Sequence, residues 1–587
     1  MKIVGIVFLF LLLTAFFLVA GQYAAAFAML KQAGMDYSNI SYDTFYYYWL
    51  DYKDLEWAKK YLAVGYAFGG LVSSFPLIIV GAVLFGMYKP EELHGSARFA
   101  NSVELRKSGL FPRKKKAEPE KPVLLLGRGG KGSYKNQLIQ FEGQQFAGVE
   151  APTRSGKGVG IVIPNALNYS ESLVTLDIKL ENFEKTAGQR AAMGQEVYIF
   201  CPDGYSTTAL EASNGTVRSH CWNPFDYVRR DAKFRVGDLM VITNALYPTG
   251  SGGKDDMWNE LAGKLFTGLS LFMLDIEKIT HRQASFPYLI ELKSSKDGLD
   301  KWMESQLDAG YCSDETKREF ADFMGAAKET KGSILSNFNA PLAVFSDQVC
   351  AASVSKSDFD FRDLRKKKMS IYVGVKPANI PRFQKLLNLF FEQLINENTK
   401  VLPELDPALK YQCLCLLDEF PALGRVQIID KAIGYAAGYN MRFLMIYQSE
   451  AQLEKKDVYG KEGAKALLDN LAVRVIYPPK EVTEQVKRIS ETLGYKTVKE
   501  RTVSRTSGKG STRTRNETKQ KRALMMPQEI VELGFEKHKS GLGINTLMIM
   551  ENMRPFKAKK IIYFEEKEFQ AKVDYSLNNV PSIPALF

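Results

Sequence analysis

Residues 149–160 read V-E-A-P-T-R-S-G-K-G-V-G, and this stretch decides the fold. A short apolar run, 146–149, leads into a Gly-rich turn, and 159–167 continues with helix-compatible apolar residues. Strand, turn, helix is the order a phosphate-cradling loop requires: N–H groups at a helix start form an anion nest, and a lysine neutralises the β- and γ-phosphates. Lys157 is that lysine, and Thr153, Arg154, Ser155, Gly156 and Gly158 complete the candidate nucleotide-contacting set. The stretch departs from the strict pattern twice, with Ala151 where glycine is usual and Gly158 where serine or threonine is usual. The second departure removes a hydroxyl that commonly ligates magnesium.

A partner for this turn lies far downstream, where 413–420 read C-L-C-L-L-D-E-F. An apolar strand ending in two carboxylates would deliver Asp418 to Mg²⁺ and Glu419 to a water, as nucleotide hydrolysis requires. The pairing predicts an ATP-driven motor. Gln448, at the end of the next apolar run, is placed to sense the γ-phosphate. Arg442 and Arg154 are the candidates for the arginine that ring ATPases usually borrow from a neighbouring subunit. Surface or substrate contact is the plainer alternative for each. Asp177 and Lys179 follow the strand after the turn and could bridge subunits, help the metal, or form a simple ion pair.

The runs at 123–126, 146–149, 172–176 and 197–200 read as strands, as do those at 369–375, 413–417, 443–446 and 473–477. Alternation with helices argues for an α/β fold with a parallel sheet covered on both faces. Between 251 and 355 the pattern turns helical, with Trp258, Leu261, Leu265, Leu269 and Phe272 at helical spacing. The expected order is a membrane anchor (1–88), the first part of a nucleotide-binding domain (89–250), an all-α domain (251–355), and the second part of the nucleotide-binding domain (356–587). Within that last part, 496–522 carries ten Lys/Arg against two Glu and is expected to be a flexible loop. It has no aromatics interleaved among its arginines for base stacking, so phosphate contact is the most it could offer.

Residues 3–30 are almost wholly apolar and 61–88 carry no charge, each longer than the roughly 20 residues a bilayer-spanning helix needs. Basic residues after the second run place the bulk of the chain in the cytoplasm, with 31–60 as an extracytoplasmic loop. A cleaved signal peptide is the rival reading of the first run. The formal charge of +12 suits an anionic partner, nucleic acid or membrane lipid. Six scattered cysteines do not form a disulfide framework, and Cys413 and Cys415 are expected to serve core packing.

Several longer motifs accompany these: H-G-S-A-R (94–98), D-x-K-x-E (177–181), W-N-P-F-D (222–226), G-Y-A-A-G-Y (434–439), Q-S-E-A-Q-L (448–453) and R-P-F-K-A-K-K (554–560). Together they resemble the type IV secretion coupling proteins, the TraG-type ATPases of conjugation and effector export, over nearly the whole chain. The resemblance implies a RecA-like P-loop domain carrying an inserted all-α domain, anchored by a hairpin of two transmembrane helices in the inner membrane, and assembling as a homo-hexamer. It implies ATP and Mg²⁺ as cofactors. Single-stranded DNA with a bound relaxase, or effector proteins, would be handed to the secretion channel. Two alternatives stay open: a double-stranded-DNA translocase of the FtsK type, and a membrane docking scaffold that uses nucleotide only for assembly.

Overall fold

A computed structural model describes residues 2–80, 93–111, 121–249, 255–294, 298–505 and 513–587. Two compact units result, residues 1–93 and 94–587.

In the first unit, helix α1 (Lys2–Ala33) is followed by α2 (Thr44–Tyr52) and α3 (Glu56–Ser73). Within α1, Phe10–Ala33 has a mean hydropathy of 1.9 and is the one stretch among the described residues long and apolar enough to cross a bilayer. The second expected span is only partly covered: α3 ends at Ser73, a turn at Ser74 precedes helical residues 75–80, and 81–88 lie outside the described residues. The break at Ser74 falls two residues before Pro76, which has no N–H to donate to the carbonyl of the preceding turn. The expected loop 31–60 is itself largely helical. Gly69 lets α3 approach α1 closely, since a Cβ there would sit 2.8 Å from that of Ala25.

The second unit is built on an eleven-stranded sheet. In chain order its strands are β1 (Val123–Gly129), β2 (Leu138–Glu142), β3 (Phe146–Glu150), β4 (Ser172–Leu176), β5 (Glu196–Phe200), β6 (Met369–Val373), β7 (Cys413–Leu417), β8 (Met441–Tyr447) and β9 (Leu471–Ile476). Beyond a separate hairpin, β10 (Tyr495–Arg505) and β11 (Arg513–Ala523), come β12 (Asn545–Met550) and β13 (Met553–Lys559). The order across the sheet is β2-β1-β13-β12-β9-β3-β8-β7-β4-β6-β5. From β9 to β5 all neighbours are parallel, and from β9 to β2 all are antiparallel.

The five inner parallel strands, β3, β8, β7, β4 and β6, are buried on both faces, which is why they read as largely apolar runs. Alternate residues of β7 divide between two cores: Cys413, Cys415 and Leu417 pack on one face, Leu414 and Leu416 on the other. All six cysteines are free and buried, so Cys413 and Cys415 serve packing.

Behind the phosphate turn the chain makes a π-helical turn, Gly158–Val162, and then α4 (Ile163–Asn168); α5 (Glu181–Ala192) follows β4. Helix α6 (Ala232–Leu246) precedes the predicted helical region, which contains α7 (Asp255–Thr280), α8 (Asp314–Met324) and α9 (Lys328–Leu342). Leu265, Leu269 and Phe272 form the buried stripe of α7 that their spacing predicted. These helices share one continuous hydrophobic core with β4, β6 and β7. The last helix, α10 (Lys567–Asn578), docks on α5 at Gly188, where a Cβ would lie 2.6 Å from the Asn579 carbonyl oxygen.

The segment expected to be a flexible loop differs. β10 and β11 pair in register from Tyr495 opposite Ala523 to Arg505 opposite Arg513; 506–512 lie outside the described residues. Two causes are visible. Glu517 accepts across the strands from Lys499 at 2.9 Å. The base is also stitched to the H-G-S-A-R stretch, with Ala97 N–H donating to Tyr495 O at 3.0 Å and His94 N–H to Thr497 Oγ1 at 2.9 Å. A hairpin alone is marginal in water, and these long-range bonds supply what local propensity lacks.

Candidate functional site

The parallel register aligns the strand ends that matter. Glu150 of β3 lies opposite Tyr447 of β8, and Leu417 of β7 opposite Met445 of β8. The C-terminal ends of three adjacent strands therefore present the 151–158 turn, Gln448, and Asp418 with Glu419 side by side. This is the edge at which parallel α/β sheets hold ligands.

The turn is shaped by its backbone. Ala151 N–H donates to Tyr447 O and Ser155 N–H to Pro152 O, at 2.9 and 3.0 Å. Arg154 and Gly156 both have positive φ, +63° and +86°. The N–H groups of Gly156, Lys157 and Gly158 have no intramolecular acceptor among the described residues, which is the condition for an anion nest. The Ser155 hydroxyl is buried without a partner. Around Gly158 a Cβ would meet nothing within 4 Å, so glycine there is not required by crowding.

Lys157 Nζ lies 3.0 Å from Asp418 Oδ1 and is hydrogen-bonded to Glu419 Oε1. Gln448 Nε2 donates to both Glu419 oxygens at 3.3 and 3.1 Å, and its own Oε1 accepts from Thr153 Oγ1 at 2.8 Å. Glu419 occupies a left-handed conformation, φ +66°, a strained geometry for a non-glycine residue of the sort that collects at functional sites. Burial pushes the Asp418 carboxyl up from its usual range, against the opposing pull of Lys157. Its buried Oδ1 has no well-directed hydrogen-bond donor and keeps lone pairs open. Of the expected site residues, the structure thus brings together Thr153, Lys157, Asp418, Glu419 and Gln448 around the turn. Arg154 stands exposed at the turn, without an ion pair among the described residues.

Arg442 is not brought there. It is the second residue of β8, six residues before Gln448, which at about 3.3 Å per residue puts it roughly 20 Å from the site. It is fully buried, and its guanidinium donates to the carbonyls of Gln145, Pro122 and Phe141 at 2.9–3.1 Å. Burial lowers its pKa to about 10. A side chain with its donors spent on carbonyls at the opposite sheet edge is a structural clamp, which corrects the expectation of a catalytic arginine at this position.

Asp177 likewise serves its own neighbourhood, since its Oδ2 accepts from Phe183 N–H at 2.8 Å and caps α5, while Lys179 is exposed. Burial raises the Asp177 carboxyl to about 7. One network was invisible in the sequence. Buried Glu150, at the end of β3, is 3.5 Å from Arg474 of β9, which also bonds Glu450 of the Q-S-E-A-Q-L stretch; burial raises Glu150 to about 7. It ties the floor of the turn to the segment after Gln448. The motif was legible, but not its partner.

The family model described as "Type IV secretory system Conjugative DNA transfer" matches residues 98–580. The chain belongs to that family. Among relatives of this conjugative DNA transfer family, a conjugal transfer protein TraG of Escherichia coli is 26% identical over 514 residues, covering 82% of this chain and 78% of its own length. Protein VirD4 of Rhizobium radiobacter is 28% identical over 538 residues, covering 89% and 72%. Among solved structures, plasmid coupling protein TrwB in complex with ADP and Mg²⁺ aligns with a TM-score of 0.56 at 15% identity, over 81% of this chain and 96% of that one. Its likeness establishes the shared RecA-like fold. Family membership and the apolar helix α1 together make the protein membrane-associated.

Proposed function

We propose that this protein is a multi-pass inner-membrane ATPase that couples cargo, relaxase-bound single-stranded DNA or effector proteins, to a type IV secretion channel and drives its transfer as a homo-hexamer. The observation that carries the reading is the convergence of Lys157, Asp418, Glu419 and Gln448 at the ends of β3, β7 and β8. The residues fit a nucleotide with magnesium in three respects: unengaged N–H groups in the turn, a lysine beside them, and an Asp418 oxygen without a well-directed donor.

Bound there, ATP with Mg²⁺ supplies the phosphoanhydride bond and the divalent charge that steadies its phosphates. The residues of the chain do the rest. The N–H groups of 156–158 and the Lys157 ammonium bind and orient the phosphates. Asp418 would hold the metal. A phosphate that draws Lys157 away from Glu419 leaves that carboxylate to orient a water, and Gln448, which bonds Glu419 directly, links the state of the phosphate to the residue preparing the nucleophile. Arg154, exposed on the turn, is the remaining candidate for a charge offered across a subunit interface.

The β10–β11 hairpin supports a polyanionic cargo. Lys499, Arg501, Lys519 and Lys521 fall on one register parity with a single acid, Glu517. Such a strip tracks phosphates without reading bases. The test is Lys157→Ala in the full-length protein. ATP turnover and cargo transfer in cells should both vanish; transfer at the wild-type rate would instead favour a docking scaffold.

A further inference from the structure

The R-P-F-K-A-K-K run, 554–560, lies outside the grouping of Lys157, Asp418, Glu419 and Gln448, yet its last residue reaches the phosphate turn. Lys560 is 7% exposed, and its Nζ donates to the Ser155 carbonyl at 2.9 Å. The ammonium also lies 4.0 Å from the centroid of the buried Tyr477 ring. Among the described residues no carboxylate pairs with it. A buried lysine without an acidic partner is expensive, and proteins seldom keep one unless an anion arrives from elsewhere.

The segment carrying Lys560 is pressed against the turn. At Gly160, a Cβ would lie 3.2 Å from the Ile561 carbonyl oxygen and 3.6 Å from Lys560 Cβ. At Gly156, φ +86°, a Cβ would meet Leu542 at 3.2 Å. In a trans peptide the carbonyl and the following N–H point in opposite directions. Holding the Ser155 carbonyl towards Lys560 therefore turns the Gly156 N–H the other way, and that N–H has no acceptor within the protein among the described residues.

We infer that Lys560 is a positioning residue of the phosphate turn: its ammonium holds the Ser155 carbonyl so that the Gly156 N–H on the other side of that peptide faces an incoming triphosphate. The inference rests on the nucleotide reading of the turn given above. Burial lowers the Lys560 pKa to about 8, in keeping with a cation that lacks its counter-charge inside the protein.

The experiment titrates a fluorescent ATP analogue with Mg²⁺ into the full-length protein in detergent, for wild type, Lys560→Met, Lys560→Arg and Lys157→Ala, alongside thermal unfolding without nucleotide. Lys560→Met should weaken binding about tenfold, the scale of one charge-assisted hydrogen bond. Its unfolding midpoint should hold or rise, because an uncompensated buried charge is gone. Lys560→Arg should restore most of the affinity. Binding by Lys560→Met within about twofold of wild type overturns the inference. So does an affinity loss that comes with a lowered midpoint and no rescue by arginine, since that describes a merely structural lysine. If wild type takes up no nucleotide, or Lys157→Ala binds as well as wild type, the nucleotide reading itself fails, and the two failures are told apart.

Discussion

Glu419→Gln should bind ATP more tightly while hydrolysing it far more slowly. In the structure the Lys157 ammonium is shared between Asp418 and Glu419, and an incoming phosphate must compete for it. The Lys157 and Glu419 side chains are 20% and 27% exposed. A charged hydrogen bond contributes about 1.5–3 kcal/mol when buried, and partial exposure reduces this to about 1–2 kcal/mol. Removing the Glu419 charge should release that much towards binding, tightening ATP roughly 5- to 30-fold. The same change removes the carboxylate that prepares the water, so turnover should fall about 10²-fold or more. The assay pairs equilibrium binding of a fluorescent ATP analogue with single-turnover hydrolysis in the full-length protein. If Glu419→Gln binds no more tightly than wild type, Lys157 is not restrained as the structure depicts. If turnover is retained, Glu419 does not handle the water.

Other consequences can be checked separately. Arg442→Met strands three carbonyls and should cost about 3 kcal/mol or more of stability, read as a lower denaturation midpoint, with nucleotide affinity per folded molecule unchanged. Arg501→Gln combined with Lys521→Gln should weaken single-stranded DNA binding and flatten its dependence on log salt by about 1.4, from two lost phosphate contacts; an unchanged slope would remove the hairpin from the cargo path. Because burial raises the Asp177 carboxyl to about 7, the folded state holds a proton that the unfolded state releases near pH 4. Stability should therefore fall as pH rises from about 4 to about 7, and Asp177→Asn, which keeps the cap acceptor, should make that fall shallower in pH-dependent denaturation, with buried Glu150 retaining its own part. Gly158→Ser has open space to fill and should fold normally, whereas Gly160→Ala, facing the Ile561 carbonyl, should lower the unfolding midpoint.

The parallel half of the sheet was legible because doubly buried strands must be apolar throughout: β3, β4, β7 and β8 each stand out against polar flanks. The antiparallel strands β2, β12 and β13 have mixed burial, and their alternation is too short to separate from loops. The hairpin was misread because its stability comes from cross-strand partners and from 94–97, some four hundred residues away in the chain, while its own composition resembles a solvated loop. Within the site, the Lys157, Asp418 and Glu419 grouping followed from motif chemistry. Arg442 could have been discounted on strand direction alone: if Gln448 ends β8 at the site, a residue near the start of the strand lies at the far edge. Lys560 and the Glu150–Arg474–Glu450 network could not, because they depend on which distant segments the sheet order brings together.

One triphosphate must be served by both the turn at 157 and the carboxylates at 418 and 419. Amide hydrogen exchange of the full-length protein, with and without a non-hydrolysable ATP analogue and Mg²⁺, asks this of both segments at once. Peptides covering 155–159 and 418–420 should slow together, at the same analogue concentration. Protection of one segment without the other, or of neither while nucleotide is bound, would show that they do not share a ligand.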